Sequence, residues 1–338
     1  MDAWKAAKNA LKCVLEARKG ESIVIFSDVE KMDVGKAFAE GASKLGLQTR
    51  LIQLETHENV FRKEVSSQIL KILADQASDI YINLLRGIRE ETPFRIELIK
   101  METKGEARLG HCPGVTMDML TAGALALTPE EHRKMQTFAY RLIERLNQAA
   151  KVNVTGAAGT QLSLSAMGRP FFTDTKFDWK TMKWMNLPTG EVIVAPVENS
   201  LQGRLVCDMA IGGIGPLNTP VEIKVQEGKA QEVRSADAEV LKRVKTSLAT
   251  DEWSDTVGEF AFGINPKARF VEGFLEAEKI LGTIHIAFGN NTDMPEGKNH
   301  SKNHMDLLVS EPTVEIINEN GTSFNVLSSG IFQSQETS

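Results

Sequence analysis

The chain has 338 residues, 42% of them hydrophobic and 25% charged, which is ordinary for a soluble globular protein long enough to hold two domains. A net charge of −6 offers no basic stripe for nucleic acid, and no apolar run approaches the ~20 residues needed to span a bilayer. Cys13, Cys112 and Cys207 are too scattered for a disulfide framework or a C-x-x-C pair, which predicts reduced, mostly buried thiols in a cytoplasmic protein.

The N-terminal MDAWKAAKNALKCVLEARKG reads as an amphipathic helix, because it lacks the continuous apolar core of a signal peptide. From Glu21, strand and helix signals alternate. ESIVIFSD holds the apolar run Ile23 to Phe26, the pattern of a strand buried on both faces. Val34 to Leu45 reads as a helix with Gly46 placed to end it, and TRLIQL as the next strand. Val65 to Ala77 reads as a helix, DIYINLL as a strand, Pro93 to Met101 as a helix and ARLGH as a fourth strand. This rhythm predicts a doubly wound α/β domain over 1–150. It carries no G-x-G-x-x-G and no Walker-type lysine, so no nucleotide site is expected. Asp28 ends the first strand, where a cap or loop role is expected for it. His111-Cys112 stands before Pro113-Gly114 and reads as a loop. Thr128, Pro129 and Glu131 signal the start of a helix that carries Met135, Phe138, Leu142, Ile143 and Leu146 at helical spacing and ends near Ala150.

From Lys151 the pattern changes to short strands: KVNVTG, TQLSLSAMG, GEVIVAPV, RLVCDMAIG, VEIKVQ and KAQEV. A hairpin is expected at Glu227-Gly228 and one helix over Ala236 to Leu248. A C-terminal β-rich α+β domain, 151–338, follows from this, with a polar tail from Gln333 expected to fray.

The chemistry concentrates between Gly282 and Val309, which holds three of the six histidines. His304 and Asp306 form an H-x-D pair in a strand, so both side chains share a face. His285 lies in the strand TIHIAF, with Ile284 and Ile286 facing the other way. Glu191 and Glu259 each follow a glycine at the head of an apolar strand. The plain reading of such groups is a satisfied core histidine and two solvated strand ends. The alternative is a set of two Glu, two His and one Asp that would supply the ligands for two divalent ions.

NLPTGEV, the Gly-Glu of VGEFAFGINP, the histidine of GTIHIAFG and the N-x-S-x-x-H-x-D of Asn299, Ser301, His304 and Asp306 come in one order, and in that order the chain resembles the M29 metallopeptidases of the thermophilic aminopeptidase T and S type. The resemblance is detailed in the second domain and architectural in the first. It implies Glu191, Glu259, His285, His304 and Asp306 as ligands of a dinuclear centre of Zn, Co or Mn in the C-terminal catalytic domain. It further implies an aminopeptidase acting on small peptide or amide substrates through metal-activated water, and a homodimer whose active site opens into an interior cavity. No nucleic-acid or membrane partner is implied. His300 and Glu296, in the loop beside the ligands, are candidates for moving protons, and His300 reads equally as a solvated loop residue. The chain departs from the family pattern in three ways. The tyrosine that follows the first histidine in the family has no counterpart near Thr292, since Tyr81 and Tyr140 both lie in the first half. The connection from His285 to His304 is short, and Gln161 stands where an acidic residue is common. A mononuclear Fe(II) dioxygenase of the dihydroxypyridine type shares the fold family and is the alternative activity.

Overall fold

The computed structural model describes residues 1–75, 77–180 and 182–334. The end of the expected frayed tail, 335–338, lies outside the described residues. The chain divides into two compact units. One comprises Met1–Gln136, Asp174–Thr189 and Lys267–Arg269. The other comprises Thr137–Thr173, Gly190–Pro266 and Phe270–Ser338.

The first unit is built on a five-stranded sheet in the order Gln48–Leu54, Ser22–Asp28, Ile80–Leu84, Arg108–His111, Trp184–Asn186, with every pair parallel. The apolar run Ile23 to Phe26 is fully buried, as a strand covered on both faces requires. The order turns back on itself at Ser22–Asp28, which makes the sheet doubly wound as expected. The Met32–Leu45 helix ends where Gly46 takes φ 79°. The Thr128 hydroxyl accepts from the Glu131 N–H, and the Glu131 carboxylate accepts from the Thr128 N–H, a complete capping box for the helix Pro129–Leu146.

Three local expectations need correction. That helix stops at Leu146, short of Ala150, because Ala149–Thr155 is already a strand paired with Thr313–Asn318. Asp28 makes no cap bond. It is fully buried and takes both terminal nitrogens of Arg62 (2.6 and 2.7 Å) and the Arg86 N–H (2.7 Å). A carboxylate this deep needs a cationic partner, and the loop after the second strand supplies it. Buried Glu91 binds the same two arginines, so an internal ion network sits at the end of the first strand. His111 ends the strand expected at ARLGH, so the loop expected at His111-Cys112 begins only after it. Its Nδ1 bonds the Asn83 side-chain carbonyl, and the Asn83 amide donates to Glu102 (2.8 Å), all three residues being buried.

The second unit holds two antiparallel sheets. The eight-stranded sheet includes the Val221–Gln226 and Lys229–Ser235 hairpin, turned at Glu227 (φ 51°) and Gly228 (φ 76°) as a primed turn requires. The helix Ala238–Leu248 starts on an Asp237 cap. The seven-stranded sheet runs Gly215–Pro216, Ala210–Ile211, His304–Val309, Ile284–Gly289, Val257–Gly263, Glu191–Val194, Phe172–Thr173. One face buries Ile284, Ile286, Phe260 and Phe262, and the other carries the polar residues described next. No helix among the described residues is long and apolar enough to cross a membrane.

Candidate metal centre

Four adjacent strands of the seven-stranded sheet bring the five expected ligands together. Register pairs Glu191 with Gly263, Ala261 with His285, Glu259 with Ala287, Ala287 with Asp306 and Gly289 with His304. Directly paired residues share a face, and so do residues two apart along a strand. All five candidate ligands therefore project from the same face. The positions between them on that face are Gly263, Ala261, Ala287 and Gly289, small enough to let the long side chains lean together.

Two glycines set the approach of the glutamates. Gly190 takes φ 139°, and a Cβ there would lie 2.5 Å from the Asn265 Cβ. Gly258 stands at a register shift between Val257 and Glu259, and a Cβ there would lie 2.3 Å from the Gly289 carbonyl oxygen. A bulge of this kind re-aims the following side chain, here Glu259.

Two overlapping groups result, Glu191–Glu259–His285 and Glu259–His304–Asp306, with the potential ligand atoms of each within 4.8 Å of one another. His285 Nε2 lies 3.2 Å from Glu259 Oε1, 3.4 Å from Glu191 Oε1 and 4.0 Å from Asp306 Oδ1. His304 Nε2 lies 3.1 Å from Asp306 Oδ1 and 3.3 Å from Glu259 Oε2. Glu259 thus reaches one histidine with each oxygen. Glu191, Glu259 and His285 are buried, whereas the His304 side chain is 36% exposed and opens the cluster to solvent. The solvated reading of the two strand-end glutamates does not hold.

The carboxylates dominate the electrostatics of the cluster. Burial alone would depress His285, but the Glu259 hydrogen bond and the charges of Glu191, Glu259 and Asp306 push it up to about 10. For His304, burial works downward and is outweighed by Asp306 and Glu259, which raise it well above the usual imidazole range. Burial opposes ionisation of Glu259, yet the two imidazoles hold it far below the usual carboxylate range. The carboxylate field that keeps a proton on these histidines would equally attract a divalent ion.

The donors fit such an ion. Oxygen and imidazole without thiolate suit Zn, Mn, Co or Fe(II). His304 Nδ1 donates to the Asn290 carbonyl (2.8 Å), which orients the ring with Nε2 facing the carboxylates, the nitrogen that would bind an ion displacing its proton. His285 Nδ1 is buried with no hydrogen-bond partner among the described residues. Of the other expected residues, His300 and Glu296 are both exposed, and neither belongs to either group. Glu296 takes φ 63°, and its carbonyl accepts from Arg169 (2.6 Å).

Sequence reading missed Lys279. Its side chain is 1% exposed and ion-paired to Glu191 and to Glu278 (2.8 Å). The charged run Glu276, Glu278, Lys279 looks like a solvated surface, yet all three side chains are buried. A signal was present in their position between the strand of Glu259 and that of His285.

A family model described as thermophilic metalloprotease (M29) matches residues 129–332, more than half of the chain and all five residues of the cluster. The chain belongs to the M29 family. M29 members are metal-dependent peptide hydrolases, and the cluster supplies this member with carboxylate and imidazole groups able to hold a metal. Solved structures share the fold, two of them over nearly the whole chain. AmpT from Thermus thermophilus is 18% identical with a TM-score of 0.71, over 98% of this chain and 99% of its own. A 2,5-dihydroxypyridine dioxygenase from Pseudomonas putida KT2440 is 16% identical with a TM-score of 0.67, over 99% and 97%. No curated protein sequence matches the chain.

Proposed function

We propose that this M29 protein is a cytoplasmic aminopeptidase, working as a homodimer on small peptide or amide substrates through divalent ions held by Glu191, Glu259, His285, His304 and Asp306. The observation that carries the reading is the meeting of these side chains on one sheet face in two groups that share Glu259. Two groups suit two ions, with Zn, Co or Mn as the candidates. All five residues lie in 151–338, which on this reading is the catalytic domain, and 1–150 is the α/β domain that accompanies it.

When bound, such ions polarise a peptide carbonyl and make a water acidic enough to attack at neutral pH. The chain's own groups do the positioning. Asn290 orients His304, Glu259 joins the two groups, and the buried carboxylates favour a positively charged substrate amine over a blocked one. His300 and Glu296 remain the candidates for moving protons, on the ground that their loop begins at the residue whose carbonyl holds His304.

Glu259→Ala is expected to lose bound metal and nearly all turnover of aminoacyl amides. Full metal content with an unchanged rate would refute the reading.

The second reading is a mononuclear Fe(II) ring-cleaving dioxygenase. His285 and His304 lie 4.0 and 3.1 Å from Asp306, two imidazoles and one carboxylate being the ligand types such an iron needs, and the fold is shared with the dihydroxypyridine enzyme. Glu191 and Glu259 weigh against it, because three protein ligands would suffice. Oxygen uptake with a dihydroxypyridine, and none of the amide turnover, would select it.

A further inference from the structure

The two ligand groups differ in one respect that the expected ligand set does not explain. Lys279 stands in the Glu191 group. Its ammonium is ion-paired to Glu191 Oε2 and to Glu278 Oε1, and its side chain is 1% exposed. The backbone is built to hold it there. The Asn265 N–H donates to the Lys279 carbonyl (2.8 Å), the Ile264 N–H donates to the Gly190 carbonyl (2.8 Å), and Gly190 is packed against Asn265 so closely that a Cβ would not fit. One strap therefore fixes Lys279 relative to the residue that precedes Glu191. The second group has Glu259, His304 and Asp306, and among the described residues no lysine or arginine is bonded to any of them.

We propose that Lys279 is a built-in cation of the Glu191 group, so that the two groups bind metal unequally: the Glu259–His304–Asp306 group fills first and tightly, and the Glu191 group takes an ion only weakly. The inference rests on the metal-centre reading above and deepens it. An ammonium shared between Glu191 and Glu278 offsets part of the charge that would draw a divalent ion, and it places a like charge beside the position that ion would take. A group bonded to a ligand alters metal affinity by about 10–100-fold, and a fixed positive charge acts in the weakening direction. A single tightly held ion also leaves His285 facing a carboxylate cluster that Lys279 already partly neutralises.

The test is Mn²⁺ titrated into chelator-stripped full-length protein, followed by calorimetry and by the electron paramagnetic resonance signal, which separates isolated from coupled ions. Wild type is expected to bind one ion tightly and a second on the order of 100-fold more weakly, the upper end of that range. Lys279→Met is expected to bring the second step close to the first and to produce the coupled signal at two equivalents. Two equally tight ions in wild type would overturn the proposal, and this result needs no variant to fold. One tight ion in wild type with an unchanged second step in a folded Lys279→Met, or in Lys279→Gln as a milder replacement, would also overturn it. Binding of no ion by any of them would instead overturn the metal centre itself, a distinct failure.

Discussion

Glu102 shows what a single buried carboxyl costs this fold. Burial outweighs its bond from Asn83 and raises it from 4.5 to about 8. The folded chain therefore keeps a proton that the unfolded chain gives up. The stability this group contributes is whole below 4.5 and drains away as the pH rises through 8. Glu102→Gln keeps an acceptor for Asn83 and removes the ionisation. We expect it to stabilise the protein at pH 7 by up to about 3 kcal/mol and to leave it nearly unchanged at pH 4, measured as melting temperature against pH. Equal shifts at both values would contradict this. Residues of this kind were only partly legible in the sequence. His304 and Asp306 could be placed on one face because a strand fixes the period. Asp28 could not be assigned, since its partner Arg62 is 34 positions away in a loop with no pattern. Lys279 could not either, because a Glu-Lys run carries the same letters on a surface and in a buried ion pair.

At the scale of elements, the strands were legible through their apolar runs, and the seven-stranded sheet places its candidate ligands by register. The glycines before Glu191 and Glu259 are the sequence trace of that arrangement. Gly190 needs its positive φ and its close approach to Asn265, and Gly258 forms the bulge against the Gly289 carbonyl. Strand order was not legible, because nothing local records that Glu191–Val194 pairs with Val257–Gly263. Gly258→Ala tests the bulge. Its Cβ would have to push the Gly289 backbone aside, and Gly289 is paired with His304. Both ends of the Glu259–His304 contact would move. The expected result is metal affinity reduced by about 10–100-fold, as when a supporting shell is disturbed, in a protein that is still folded. Unchanged affinity would show that the bulge does not aim Glu259.

For the molecule as a whole, membership of the M29 family and the meeting of five candidate ligands on one sheet face lead to the same claim. The sequence order of the motifs already pointed there, while the departures from the pattern the resemblance implies, above all the tyrosine expected near Thr292, fall outside the five candidate ligands. Anomalous diffraction from crystals grown with Mn²⁺ tests that claim most directly. The account predicts a dominant peak about 2.1 Å from Glu259, His304 and Asp306, with any second peak at the Glu191 group weaker. A dominant peak away from these residues, or none at all with Mn²⁺ present, would contradict it.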